Sequence, residues 1–313
     1  MPPSSNEAAG TPRPHLDALV DAARARGAIP VAVAYPCDAA SIEAALLAAD
    51  AGLIEPVLVG PGERIRAEAG KSGLSLARCR VDETADDPRA AAVQAATLAR
   101  EGVVHALMKG SLHSDELLGA VVAKDAALRT GRRASHVFVI DAPKVDRPLL
   151  FTDCVVNIAP DLMAKREIVQ NAIDLAHALG IGRPKVAVLS AVETVNPAIP
   201  GTLDAAALSK MAERGQITGA IVDGPLAFDN AISAESARHK GIASPVAGAP
   251  DILLVPNLEA GNMIYKELVY LADAEVAGLV LGMKVPVILT SRSDSVRSRV
   301  ASCALAVLAA RRQ

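Results

Sequence analysis

The sequence predicts an α/β fold with mainly parallel sheets covered by helices. From Pro30 onward, short runs of β-branched residues alternate with alanine-rich stretches of helical periodicity. Parallel strands need helical crossovers and are buried on both faces, so this alternation predicts helices on both sides of a sheet. Because 313 residues correspond to about two domains at roughly 150 residues each, we expect two α/β domains.

The first half of the chain divides into strands and helices at local sequence signals. We predict strands over residues 31–35, 57–59, 78–81, 103–108 and 136–140. A helix capped by Asp38 or Ser41 runs to about residue 50, and further helices cover residues 88–100 and 115–123. The charged, proline-containing stretch 141–148 predicts the boundary between the two domains.

The second half repeats the alternation. Strands are predicted over residues 149–152, 185–189, 219–222 and 252–255, followed by two buried strands within 276–290. Helices are predicted over residues 161–178, 203–213 and from 295 onward. Residues 1–14 are rich in Pro, Ser and Ala and lack the apolar core of a signal peptide, so we expect a disordered lead-in.

Composition excludes several classes of function. The formal net charge is −3, with Lys+Arg 32 against Asp+Glu 35, and no basic block indicates a nucleic-acid partner. The longest apolar stretch, 276–290, is interrupted by Lys284 and is too short to span a membrane. The four cysteines have no CxxC spacing, which argues against a zinc site and a disulfide framework. These features predict a cytoplasmic protein.

Polar clusters follow five of the predicted strands. Ligands of parallel α/β sheets bind outside the carboxyl ends of the strands, and each cluster occupies such a position. The last two clusters also open helices, where backbone N–H groups favour an anion. The clusters cover residues 109–113, 153–157, 223–230, 257–262 and 291–295.

Three of these stretches resemble the phosphate acetyl/butyryltransferase family, in the family's order. The similarity covers nearly everything after the N-terminal tail, and two shorter patterns, Met108-Lys109-Gly110 and Ser291-Arg292-x-Asp294-Ser295, look more like the phosphate butyryltransferase branch. The three stretches are Asp223-Gly224-Pro225-Leu226-Ala227-Phe228-Asp229, Pro256-Asn257-Leu258-Glu259-Ala260-Gly261-Asn262 with Lys266, and Thr290-Ser291-Arg292-Ser293-Asp294-Ser295.

The resemblance implies an acyltransferase that moves an acetyl, propionyl or butyryl group between coenzyme A and inorganic phosphate. It implies neither a metal nor a bound cofactor, and the partners are acyl-CoA, phosphate and further copies of the chain in a homodimer or larger assembly. The implied fold has a cleft between two α/β domains, as in isocitrate and isopropylmalate dehydrogenases. Because the family's last strand and helix return to the first domain, residues 1–142 with 286–313 form one domain and residues 143–285 the other.

The reaction needs positive charge at the phosphate and a base near the thiol. Arg292 can bind two phosphate oxygens with its planar fork, although a surface salt bridge is the alternative. Ser291 matches the family's active-site serine, and we expect it to donate a hydrogen bond rather than act as a nucleophile.

The acetyl branch of the family carries an aspartate seven positions after that serine, where this chain has Ser298. Asp294 is therefore the candidate base, with helix capping as the alternative. In a third alternative, the positive charge of the site alone ionises the CoA thiol and no residue acts as a base.

The remaining candidates are expected to bind substrate. Lys109 and Ser111 can hold phosphate, with a solvated loop lysine as the alternative for Lys109, and Asp223 and Asp229 can orient the site. Helix capping is the alternative role of Asp229. Asn257, Asn262 and Lys266 belong to one helix start, where Asn262 and Lys266 share a face. We expect His113 and His136 to be ordinary loop and core residues.

Two other functions compete with acyl transfer. A metal- and NAD-dependent dehydrogenase of related fold would need a metal-binding cluster and a dinucleotide site, and the sequence indicates neither. A non-catalytic acyl-CoA-binding subunit stays open because the base position is altered.

Overall fold

The structure, a computed structural model, describes residues 14–290 and 294–310. Within these ranges the strands are β1 (Ile29–Ala34), β2 (Ile54–Gly60), β3 (Arg80–Glu83), β4 (Ala106–Lys109), β5 (Ser135–Asp141), β6 (Leu149–Thr152), β7 (Lys185–Leu189), β8 (Ile221–Leu226), β9 (Ile252–Leu254), β10 (Glu275–Leu281) and β11 (Val287–Ile288). The helices are α1 (Pro14–Arg26), α2 (Ala39–Asp50), α3 (Gly62–Lys71), α4 (Pro88–Arg100), α5 (Ser114–Val122), α6 (Leu162–Ala178), α7 (Pro200–Glu213), α8 (Phe228–Ile232), α9 (Ala234–His239), α10 (Leu258–Leu271) and α11 (Val296–Ala309).

The strands form one mostly parallel sheet in the order β3-β2-β1-β4-β11-β10-β5-β6-β9-β7-β8. The antiparallel pairs, β11 with β10, β10 with β5, and β5 with β6, lie together in the middle of the sheet. The stretch predicted as a domain boundary connects β5 to its neighbour β6. One continuous sheet therefore joins the two halves of the chain, and the division into two domains stays a prediction.

The last strand and helix return to the first half of the chain. β11 pairs in parallel with β4, with Ile288 opposite Met108. α11 packs against α1, α2 and β10, and its inward residues from Ala301 to Leu308 are almost fully buried. Residue 290 is thereby brought to the same edge of the sheet as Lys109.

Local sequence explains where several helices begin. The carboxylate of Asp38 accepts a hydrogen bond from the Ser41 backbone N–H at 2.8 Å, so Asp38, not Ser41, caps α2. Asp161 caps α6 in the same way through Ala164. Such caps satisfy backbone donors that a helix leaves unpaired at its start.

Two capping alternatives are corrected by the structure. The N-cap of α11 is Ser295, whose hydroxyl accepts from the Ser298 backbone N–H at 3.0 Å, rather than Asp294. Asp229 lies inside the first turn of α8 instead of capping it. At α11, both serine and aspartate suit an N-cap, so composition alone does not distinguish the adjacent Asp294 and Ser295.

Candidate functional site

Lys109 and the segment after β11 meet at the carboxyl edge of the sheet. Lys109 is the last residue of β4, and Thr290 lies two positions beyond the neighbouring strand β11. Both line a small cleft together with Asp38, Gly110 and Arg299. A lysine and an arginine at one cleft favour an anion there, as the sequence predicted for this edge.

Gly110 and Ser111 fix the loop after β4 against the loop after β1. A Cβ atom at Gly110 would lie 2.3 Å from the Ala34 carbonyl oxygen, so only glycine permits this close approach. The Ser111 hydroxyl donates to the Tyr35 carbonyl oxygen at 2.8 Å and accepts from the Cys37 N–H at 3.2 Å. The Ser111 hydroxyl proton is therefore used in a hydrogen bond to the backbone, and phosphate binding by Ser111 stays a prediction.

The start of α10 carries the next predicted residues. Asn257 caps this helix by accepting from the Ala260 N–H at 2.9 Å. A Cβ atom at Gly261 would lie 2.9 Å from the Cys154 sulfur, so glycine permits the first turn to approach the loop after β6. The Asn262 amide lies 3.5 Å from the Cys154 carbonyl oxygen, and Lys266 is exposed one turn later.

Asp294 lies near α10 even though it comes from the far end of the chain. Burial and, after it, the nearby negative charge of Asp294 raise the pKa of the half-buried Tyr265 hydroxyl to about 12. At neutral pH the phenol therefore stays protonated beside this carboxylate. The structure thus brings the candidate base close to the helix that carries Asn262 and Lys266.

Asp153 organises the loop after β6. Its buried carboxylate accepts hydrogen bonds from the backbone N–H groups of Val155, Val156 and Asn157, at 2.9, 3.0 and 3.1 Å, and from the Asn157 side chain. Burial lowers the pKa of the neighbouring His136, although the negative charge of Asp153 partly opposes this effect. His136 is a neutral core histidine in the middle strand β5, as the sequence predicted.

A second group of polar side chains lies at the outer end of the same edge, beyond β7 and β8. We call Glu193, Asp229, Asn230, Ser236 and Lys240 the outer cluster. The Lys240 ammonium lies 3.1 Å from both the Glu193 and the Asp229 carboxylates. Asp229 also accepts from the Ser236 hydroxyl at 2.7 Å, and Glu193 from the Asn230 amide at 3.1 Å.

Asp223 is bound to its own neighbour and does not take part in these contacts of the outer cluster. Its carboxylate accepts from the Gly224 N–H at 2.9 Å. Gly224 approaches β7 closely, since a Cβ atom there would lie 2.7 Å from the Val188 carbonyl oxygen. An orienting role for Asp223 stays a prediction.

Ser291 and Arg292, the predicted phosphate ligands, lie outside the described residues, and their assignment stays a prediction. The described neighbours on either side, Thr290 and Asp294, are positioned at the cleft beside Lys109 and near Tyr265, respectively.

Sequence reasoning missed the aromatic side chains of this region. Tyr265 lies between Asn262 and Lys266 on α10, and its ring stacks on that of Phe138 in β5 with centroids 4.2 Å apart. The spacing of Asn262 and Tyr265 was a signal for Tyr265, because residues three apart share a helix face. No comparable signal existed for Phe138, which lies on a separate strand.

Comparison with known proteins identifies the family. The family model described as "Phosphate acetyl/butaryl transferase" matches residues 81–307. The chain is 57% identical to a phosphate acetyltransferase of Rhizobium meliloti, covering 95% of this chain and 94% of that protein. It is 44% identical to a phosphate butyryltransferase of Clostridium acetobutylicum, covering 90% and 93%. These identities do not favour the butyryl branch that the two short patterns indicated.

A solved structure agrees with the sequence matches. The branched-chain phosphotransacylase from Enterococcus faecalis V583 superimposes with a TM-score of 0.78 at 31% identity, covering 90% of this chain and 98% of that one. The mostly parallel α/β sheet is thus shared with that structure. The chain belongs to the phosphate acetyl/butaryl transferase family.

Proposed function

We propose that this chain is a phosphate acyltransferase that interconverts short-chain acyl-CoA plus phosphate with acyl phosphate plus CoA. In the synthetic direction for the thioester, the CoA thiolate attacks the carbonyl carbon of the acyl phosphate. A C–S bond forms, the C–O bond to phosphate breaks, and phosphate leaves with the electron pair. The reverse reaction uses a phosphate oxygen as the nucleophile and CoA thiolate as the leaving group, so no acyl-enzyme is required.

The observation that carries this proposal is the position of Asp294 beside α10. Ser295 takes the capping role at α11, which supports Asp294 as the base that removes the thiol proton. Lys109 at the cleft and Arg292 after β11 supply positive charge for phosphate. Asn257 holds the start of α10, and Asn262 and Lys266 present polar groups to the CoA side of the substrate.

The test is phosphate-dependent release of free thiol from acetyl-, propionyl- and butyryl-CoA. Asp294→Ala should lower kcat by about 10²-fold or more, because a positioned base contributes that much. Ser295→Ala is the matched control, and it should cost about 1 kcal/mol of stability while turnover is retained. Full turnover in Asp294→Ala, with only a lower Tm, would remove the base assignment.

Arg292→Ala should raise KM for phosphate far more than KM for CoA, since its fork pairs with phosphate oxygens. Arg292→Lys should restore only part of this binding, because an ammonium does not reproduce the bidentate geometry. Equal effects on both substrates would contradict the phosphate role. Reduction of NAD with a hydroxy-acid phosphate, and no thiol release, would replace the whole proposal by a dehydrogenase.

The proposal includes four finer features. Residues 1–142 with 286–313 form one domain and residues 143–285 the other, with a dehydrogenase-like cleft between them. The enzyme is cytoplasmic, works without a bound cofactor and forms a homodimer or larger assembly. In the described residues, no helix combines the length and apolarity needed to cross a membrane. Light scattering of the purified protein tests the assembly, and native mass spectrometry tests the bound cofactor.

A further inference from the structure

An aromatic stack lies in the middle of the sheet, where Tyr265 of α10 packs on Phe138 of β5. The Tyr265 and Phe138 rings are nearly parallel, 12° apart with centroids at 4.2 Å. The His136 ring contacts the other end of the stack, with its centroid 4.2 Å from that of Phe138 and the planes at 60°. The chain has only Tyr 3, Phe 3 and Trp 0, so two of its six aromatic side chains meet here.

The stack packs closely on the sheet because a glycine lies beneath it. Gly278 on β10 pairs with Phe138 on β5. A Cβ atom at Gly278 would lie 2.7 Å from His136 Cε1 and 3.1 Å from Phe138 Cδ1. The His136 and Phe138 rings therefore occupy the space that a side chain at position 278 would fill. Because Phe138 is closely packed on the sheet, it gives the Tyr265 ring a fixed surface to stack on.

The Tyr265 end of the stack is close to the predicted chemistry. Tyr265 shares a helix face with Asn262, three positions before it on α10. From the other direction, the carboxylate of Asp294 lies within electrostatic reach of the Tyr265 hydroxyl. Tyr265 is therefore near one residue proposed to bind substrate, Asn262, and near the proposed base, Asp294.

We propose that the Tyr265 ring, supported by Phe138, is the wall against which the acyl chain lies and that it determines the length of chain accepted. This inference rests on the proposed function. The carbonyl carbon must react near the base, and the acyl chain is bonded directly to that carbon. A fixed aromatic face at this point offers apolar contact to a short chain and a steric limit to a longer one.

The experiment measures kcat/KM with acetyl-, propionyl- and butyryl-CoA for the full-length protein and its Tyr265 variants. Tyr265→Ala should raise the ratio of butyryl to acetyl activity by about tenfold or more, because each methylene accommodated is worth about that factor. Tyr265→Leu, which keeps apolar packing on Phe138 without the ring, should shift the ratio in the same direction. If the Tyr265→Ala variant does not fold, the ratio measured for Tyr265→Leu tests the inference in its place.

Two control variants separate the ring from other effects. Tyr265→Phe keeps the ring and should leave the ratio within about twofold of the wild type, a shift much smaller than one methylene is worth. Tyr270→Ala removes a tyrosine of the same helix that is 72% exposed, and it should also leave the ratio unchanged. An unchanged ratio in the folded alanine or leucine variant would overturn the inference, as would a phenylalanine variant that behaves like alanine. A wild-type protein that releases no thiol from any acyl-CoA would instead overturn the proposed function.

Discussion

The outer cluster and the central region, by which we mean Phe138, Asn262, Tyr265, Lys266 and Asp294, lie at the same edge of the sheet but differ in how their polar groups are paired. In the outer cluster, Lys240 joins two carboxylates at 3.1 Å each. In the central region, Asn262 makes a long 3.5 Å contact. Lys266 has no ion pair with any residue in 14–290 or 294–310.

This difference teaches that a position after a strand is not sufficient evidence of a binding site. Polar groups that satisfy one another stabilise a loop, and only weakly when they are exposed. A few polar groups beside an apolar surface, as Asn262 and Lys266 are beside the aromatic stack, are the combination typical of ligand sites. We therefore assign structure to the outer cluster and chemistry to the central region, and three predictions test this assignment.

The largest effect is expected for Gly278→Ala in the central region. The added methyl group would displace His136 and Phe138 and, through them, Tyr265, so we expect a loss of about 1–3 kcal/mol in stability. We also expect acyl transfer to fall by a larger factor than the stability change explains. Urea denaturation and thiol-release kinetics measure the two effects.

Gly119→Ala is the matched control for that substitution. Gly119 is an exposed position in α5 with no atom within 4 Å of the added Cβ. In a helix interior this change should stabilise the protein by roughly 0.5–1 kcal/mol. Retained transfer in Gly278→Ala would show that the aromatic stack does not support the site.

An intermediate effect is expected from His136 as pH falls. Burial lowers the pKa of this histidine in the folded protein below its ordinary value of 6.5. As pH falls below 6.5, the unfolded chain takes up a proton that the folded chain does not, so stability decreases, by up to about 1.4 kcal/mol per pH unit. His136→Gln should show a shallower loss between pH 6.5 and 5, measured by urea denaturation at each pH. Parallel pH profiles of the two proteins would contradict this expectation.

The smallest effect is expected in the outer cluster. Hydrogen bonds from Ser236 and then Lys240 lower the pKa of Asp229 to about 2, from 3.8. Its contribution to stability is therefore present above pH 3.8 and is lost as pH falls through about 2. Asp229→Asn should lower Tm slightly at pH 7 and leave kcat/KM for every acyl-CoA unchanged. It should also remove the part of the acid-induced loss of stability that comes from protonation of this carboxylate. A loss of transfer comparable to that of Gly278→Ala would place the outer cluster in the site.

Much of the fold could be predicted because local signals and burial agree there. β6 and β7 have the predicted bounds, and α6 begins one residue after its cap Asp161. β8 continues beyond its predicted end at residue 222, through Gly224 and Pro225, to Leu226. The short helices α8 and α9 have too few residues to show a helical period, and the sequence indicated helix here only through the capping alternative for Asp229.

The arrangement of the middle of the sheet could not be predicted from periodicity. Buried strands have the same apolar pattern whether their neighbours are parallel or antiparallel, so the antiparallel pairing of β5 and β10 was invisible. α1 was also missed, although Leu16, Leu19 and Ala23 lie on one buried face of it. At the site, the contact between Phe138 and Tyr265 joins residues that are distant in sequence, and no local pattern reports such a contact.

The pairing of β11 with β4 has a consequence for synthesis of the chain. A ribosome completes β4 long before it reaches residues 287–288, so the nascent first half exposes one edge of β4 without its final neighbour. Unpaired strand edges are templates for association between chains, and pairings between distant residues form slowly. We therefore expect the first half to be protected, or to remain only partly folded, until residues 287–288 have been synthesised.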